Sequence, residues 1–434
     1  MDGYNSDTAF SEAGDSALEA GPSVVRPLGA MERMWLRFGQ LHPQHFMLAA
    51  EFDRVLTRDE VRTALAAVQQ RHPLLQVAIH DSAADGPVFR RPEQPSEIGL
   101  RSLRLETGDW TSVAADEYLV RFDPSSAPLM RAVLVDAEDS TVLILVFDHV
   151  ICDGVSAVGV LDDLVAALNG RALDPLPAPS SQEELIAQRL APIDPSVLAS
   201  LPEPEERMRA WPQYHRFGSS RPVINTITFD QDVTEELVSA CRAQGTTVQS
   251  FFLTAFSRAR GKLRQESFVR VLTPIDTRRL LAVEASASVC IAVARTGHDV
   301  TSQDDLWTQA KEANAQLHAA RSAPAVTIGS MAVGHFIAPD VKATAVEQFM
   351  NSQLAYEMQV SNLRVVELSD SGALRPTAVW GPMLLLQING ETNVGVTTYA
   401  GRLRLTISGY SPNDDILQEV SRIIDSACAS TQTR

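Results

Sequence analysis

One stretch constrains this chain more than any other: Val142-Leu-Ile-Leu-Val-Phe-Asp-His-Val-Ile-Cys-Asp-Gly154. Val142 to Phe147 is apolar without a break, rich in β-branched residues, and long enough for one strand. A strand with no polar alternation is covered on both faces, so it belongs inside a sheet. Polarity then switches on at Asp148, His149, Asp153 and Gly154. From there the spacing is helical, with Ala157, Leu161, Leu164, Val165 and Leu168 on one face. A buried strand thus carries a histidine to its carboxyl end, where α/β sheets place their chemistry. The plain alternative is a histidine that caps a strand and bonds to backbone. The His-x-x-x-Asp-Gly spacing argues against it. Asp153 stands four residues on, placed to fix the turn through a buried charge pair. Gly154 allows a backbone conformation or a close approach that a Cβ would block.

These residues resemble the acyltransferases and condensation domains related to chloramphenicol acetyltransferase, whose signature is His-His-x-x-x-Asp-Gly. The resemblance makes His149 the general base and Asp153 a structural carboxylate paired with an arginine. Asp148 stands where the signature has its first histidine, a position read as tolerant. Other stretches resemble the family more weakly but in the right order. They are Arg26 to Trp35, Arg71-His-Pro-Leu-Leu-Gln76 (with Gln76 where the family has arginine), Phe122 to Val135, Thr273-Pro-Ile-Asp-Thr-Arg-Arg279 and Gln359-Val-Ser-Asn-Leu-Arg364. Arg131, Arg33 and Arg71 are all candidate partners for Asp153, and the sequence does not choose among them.

The implied fold is α/β with mixed sheets: two chloramphenicol-acetyltransferase-like lobes forming a pseudo-dimer with a tunnel between them. The expected division is an acidic disordered tail over 1–23, an N-terminal lobe over 24–175, a proline-rich connector over 176–222 and a C-terminal lobe over 223–434. Local signals agree with ordered elements in each lobe. Thr57 and Glu60 form a capping-box pattern, Pro73 stops the helix that follows, and Val394–Tyr399 with Arg402–Ser408 reads as a hairpin. Pro382 to Ile388 reads as a further strand.

The resemblance implies acyl transfer from a thioester to a hydroxyl or amine, with the donor either acyl-CoA or an acyl-phosphopantetheine carrier protein, and no permanently bound cofactor or metal. The expected partners are a small-molecule acceptor and an acyl or peptidyl carrier protein. Gly154, Ser361 and Asn362 are candidate oxyanion or substrate contacts, and Asp148 is a candidate for orienting an amine. For Ser361 and Asn362 an ordinary polar loop is the equal alternative, and for Asp148 a solvated strand-end carboxylate. Arg258, Arg260 and Lys262, in a series with Arg264 and Arg270, are candidate donor-phosphate contacts or simply a solvated helix end. Two other readings stay open: other chemistry on the same fold, such as a cyclisation, and a non-catalytic module that binds a carrier protein.

A net charge of −17 argues against nucleic acid and anionic membrane surfaces as general partners. Four scattered cysteines suggest neither a disulfide framework nor a zinc site, and Cys152 reads as buried filler rather than nucleophile. With an acidic start and no apolar run of spanning length, the expectation is a cytoplasmic monomer in natural-product or lipid biosynthesis.

Overall fold

The computed structural model describes residues 23–432, apart from 83–85, 106–108, 201–202, 204, 285, 370–371 and 412–413. The expected acidic tail therefore lies outside the described residues except for Ser23, as do Pro202 and Pro204 of the connector. The first half runs β1 (Ser23–Pro27), α1 (Ala30–Leu41), β2 (His45–Phe52), α2 (Arg58–Arg71), β3 (Ala78–Ser82), β4 (Gly86–Arg91) and β5 (Gly99–Arg104). It continues with α3 (Trp110–Glu117), β6 (Met130–Asp136), β7 (Thr141–Asp148), α4 (Gly154–Leu168) and α5 (Gln182–Arg189). The second half opens with β8 (Val223–Phe229), α6 (Gln231–Ala243), α7 (Val248–Arg264), β9 (Phe268–Asp276), α8 (Arg278–Leu281) and β10 (Ile291–Asp299). Then come α9 (Leu306–Ala320), α10 (Ala323–Phe336), α11 (Ala343–Gln353), β11 (Met358–Val365), β12 (Ala378–Leu384), β13 (Thr392–Tyr399), β14 (Arg402–Gly409) and α12 (Asp414–Gln432).

Two mixed sheets organise these elements, as the α/β reading expects. One has the order β12-β2-β7-β6-β5, the other β10-β9-β11-β13-β14-β8, and β1-β4-β3 form a small third sheet. The apolar run is β7, central in its sheet and antiparallel to both β2 and β6. Its alternate residues serve two cores. Leu143, Leu145 and Phe147 join the cluster that includes α2 and α4, while Ile144 and Val146 join the cluster around α3. Both faces are covered, which is why the sequence shows no alternation. Burial of each such side chain contributes roughly 1.5–3 kcal/mol.

The halves of the chain are not cleanly separated. β12, from the second half, pairs antiparallel with β2 and completes the first sheet. The expected assignment of all of 223–434 to a second lobe is corrected accordingly. β12 also starts earlier than the expected 382–388, because the apolar Ala378-Val-Trp380 segment docks on Glu51 to Ala49 before Gly381 and Pro382 interrupt the register. α10 and α11 likewise pack on α1. The Thr57–Glu60 capping box forms, α5 lies within the proline-rich stretch, and β13–β14 is the expected hairpin. Gln359 to Arg364 is strand β11 rather than a loop, parallel to both β13 and β9. Among the described residues, no helix is long and apolar enough to cross a membrane.

Candidate active site

Where β7 ends, Asp148 donates its amide to Leu129 and His149 donates its amide to Gln44. The chain then turns through residues 149–152 and enters α4, with Asp153 as its N-cap. Asp153 Oδ1 accepts from the amides of Val155 and Ser156, at 3.1 and 2.9 Å. This N-cap satisfies donors that the first turn of a helix leaves unpaired. The other carboxylate oxygen reaches the second half of the chain. Oδ2 accepts from Arg278 Nη2 at 2.9 Å and from the amide of Cys290 at 2.8 Å.

Arg278, at the start of α8, is thus the arginine that pairs with Asp153. The three expected candidates are engaged elsewhere. Arg131 pairs with Glu117, Arg71 with Asp163, and Arg33 donates to the carbonyls of Ile337 and Leu28. Arg278 lay within the Pro-x-Asp-x-Arg stretch, but its separation of 125 residues from Asp153 hides the contact. Asp276, in the same stretch, accepts from Arg278 Nη1 at 2.9 Å and aligns the guanidinium. The Ser156 hydroxyl adds bonds to the carbonyls of Ser286 and Ser288, both 2.7 Å.

Asp153 is 1% exposed and Arg278 4%. Burial alone would push the Asp153 carboxyl up. Arg278, followed by the Cys290 and Ser156 amides, outweighs it and holds the carboxyl below its ordinary value. Burial likewise works against the Arg278 charge, and Asp153 more than restores it.

His149 is buried, its ring stacked on Trp35 at 4.3 Å between centroids and 10° between planes, with Phe46 tilted beside it at 5.1 Å. Nδ1 is buried with no hydrogen-bond partner among the described residues, which leaves Nε2 as the nitrogen open to the adjoining cavity. Burial pushes the imidazole below its ordinary value, against smaller opposing effects from its own backbone, Asp153 and the Cys152 backbone. The ring is therefore neutral at pH 7 and carries a free lone pair. The Cys152 thiol is buried and pushed far up, which makes it a poor nucleophile.

The cavity holds about 710 Å³. One wall comes from the first half of the chain, with Met31, Met34, Trp35, His149 and Gly154. The other comes from α6, β9, β10 and β11, with Leu237, Pro274, Ile291, Ser361 and Asn362 among its residues. Ser361 accepts from Gln359 Nε2 at 2.9 Å. The structure thus brings His149, Gly154, Ser361 and Asn362 to one chamber. At Gly154 a Cβ would stand 3.1 Å from the Leu363 side chain, a tight approach at an ordinary backbone angle.

Asp148 is not among the residues of this chamber. It faces a separate hollow of about 120 Å³ beside Gln44, His45 and Arg121, because side chains at successive positions point to opposite sides. The expectation of a substrate contact there is corrected. Its Oδ1 accepts from the Val150 amide at 2.9 Å and so braces the turn that carries His149. Burial pushes this carboxyl up to about 7.

The expected donor-phosphate contacts, Arg258, Arg260 and Lys262, do not line the chamber. Arg260 is 3% exposed, bound to Glu266, to the carbonyls of Glu357 and Gly390, and to Thr392. Arg258 bonds to Gln309 and to the Asp304 carbonyl, and Lys262 pairs with Glu419 at 2.6 Å. α7 packs into the second core, and its arginine forks satisfy carbonyls at the edge of that core instead of facing the chamber.

Two measurements follow from this geometry. Removing either member of a buried ion pair strands the other, so Asp153→Ala and Arg278→Ala should each cost about 3–5 kcal/mol in chemical denaturation. Their double variant should cost less than the sum. Asp148 behaves oppositely. Its raised folded value means its stabilising contribution is present below the unfolded value of about 3.9 and lost as pH rises through about 7. Asp148→Asn keeps the acceptor for Val150, and should unfold later than wild type at about pH 8 and at a similar denaturant concentration at about pH 4.

Comparison with known proteins agrees with this architecture. The Condensation domain family matches residues 27–183. Nonribosomal peptide synthetase kk1B of Curvularia clavata is 26% identical over 255 residues, which is 53% of this chain and 2% of that protein. The chain therefore corresponds to a small part of that relative's length. Polyketide synthase associated protein 5 from Mycobacterium tuberculosis superposes with a TM-score of 0.67 at 16% identity, covering 94% of this chain and 100% of the other. Trichothecene 15-O-acetyltransferase TRI3 from Fusarium sporotrichioides gives 0.65 at 11% identity, covering 92% and 96%. With its two mixed sheets, the chamber between them and the His-x-x-x-Asp-Gly turn on one wall, the chain has the chloramphenicol-acetyltransferase-like fold of condensation domains, and its residues 27–183 match the Condensation domain family.

Proposed function

We propose that this chain transfers an acyl group from a thioester to a hydroxyl or amine, with His149 as the general base. One observation carries the reading: a buried, neutral imidazole at the end of the central strand opens Nε2 into a chamber large enough for two reactants. His149 takes the proton from the acceptor as its oxygen or nitrogen attacks the thioester carbonyl. The tetrahedral intermediate collapses by breaking the carbon–sulfur bond, and the departing thiolate recovers the proton from His149. No acyl-enzyme is needed, because both substrates meet in one space.

The oxyanion requires donors near the reacting carbon. The Gly154 amide on one wall, and Ser361 and Asn362 on the other, are the groups we assign to that task. The thiol is that of CoA or of a phosphopantetheine arm on a carrier protein, the acceptor is a small molecule, and the setting is natural-product biosynthesis. Trp35 fixes the plane of the base, so orientation as well as proton transfer contributes to the rate. Asp148 was the one clue to a different chemistry. Its place outside the chamber removes that support.

His149→Ala should lower turnover by about 10²–10⁴-fold with little change in melting temperature. Because burial lowers the imidazole, the acid limb of kcat/KM in the wild type should fall below about pH 6.5. Near-normal turnover in the alanine variant, in a mass-spectrometric assay of acyl-CoA and acyl-carrier donors, would contradict the mechanism.

A further inference from the structure

The chamber is not electrically neutral. Two carboxylates reach its wall, Asp153 and Asp276, and both are paired with the one guanidinium of Arg278. His149 is uncharged at pH 7. The cations on the wall are Arg321, just past the end of α9, and Arg364, in β11. Neither guanidinium has a hydrogen bond or ion pair among the described residues, although the chain as a whole carries a net charge of −17. Arg321 is half-buried and its Nε is enclosed without a partner. Burial and the neighbouring Arg364 both work against its charge.

Arg364 is exposed and Arg321 half-buried, and no contact within the described residues offsets the repulsion that Arg321 feels from Arg364. Arg364 also sits in the left-handed region, at φ 63, which non-glycine residues adopt rarely. Asn362 Oδ1 holds it there by accepting from the Arg364 amide at 2.7 Å. Two cations without a partner on a chamber wall point to a ligand group that pairs with them. A guanidinium pair matches a planar carboxylate or a phosphate, and it binds more strongly where the surroundings are apolar.

We infer that Arg321 and Arg364 form a recognition subsite for a carboxylate or phosphate borne by the ligand that enters the chamber. The inference refines the acyl-transfer reading, naming one substrate as an anion at the end remote from its reacting atom. That anion belongs either to the arm that carries the donor thiol or to an acidic acceptor.

Matched pairs of small molecules test it on the full chain by calorimetry, without turnover. The donor arm compares 4′-phosphopantetheine with pantetheine, and the acceptor arm compares 10-hydroxydecanoate with 1,10-decanediol. The anionic member of one pair should bind about 10- to 100-fold more tightly, and R321Q with R364Q should erase the difference while leaving the neutral member unchanged. The arm that shows the preference identifies the source of the anion. Equal binding within both pairs, no binding by any of the four, or a preference that survives in the double variant would overturn the subsite. So would an effect of the variants seen only with an acidic carrier protein, which would mark a docking surface instead. A preference erased by the variants, in a chain that turns over no donor, would leave the subsite standing and sink acyl transfer.

Discussion

A carboxylate and a guanidinium meet where the two halves of the chain join, and neither has appreciable contact with solvent. Asp153 caps the helix behind the histidine with one oxygen and grips Arg278 and the Cys290 amide with the other. Taking two such charges out of water costs several kcal/mol each, and only full hydrogen bonding repays it. Here the repayment is nearly complete for the carboxylate, with four donors on two oxygens. Such a pair adds little net stability over a well-packed apolar replacement. What it supplies is geometry, because the turn carrying His149 is fixed to the opposite half of the chain.

That constraint explains several features together. β7 is buried on both faces and cannot shift, so the end of the strand is a rigid platform. The turn beyond it is braced by Asp148 on one side and by Asp153 on the other. Trp35 and Phe46 enclose the imidazole, and the burial that holds the ring in place also keeps it neutral. A single packing arrangement thus delivers position and favours the neutral ring.

Much of this was legible in the sequence because it is local. Strand β7, the helix α4 and the hairpin of β13 and β14 depend on neighbouring residues and on periodicity. Most of the misreadings were contacts over long sequence separations. The partner of Asp153 came from the second half of the chain, although Arg278 stood within a stretch that had been singled out. β12 left its own half to extend the first sheet. The arginines of α7 look like a free basic series in one dimension, but Arg260 points into the protein and binds carbonyls there. Asp148 adjoins His149 in sequence and faces a different hollow, since the pleat separates consecutive side chains. Gln359 to Arg364 carries polar residues that read as a loop, whereas pairing with β13 and β9 makes it a strand.

The central claim is that the Asp153–Arg278 bridge holds His149 buried and neutral as a base. NMR titration of the His149 ring, in wild type and in Arg278→Gln, tests it most directly. The account predicts a wild-type midpoint below the ordinary value of about 6.5, moving upward in the variant as the turn loosens and the ring gains water. A wild-type midpoint at or above that value, or one unmoved by loss of the guanidinium, would contradict it.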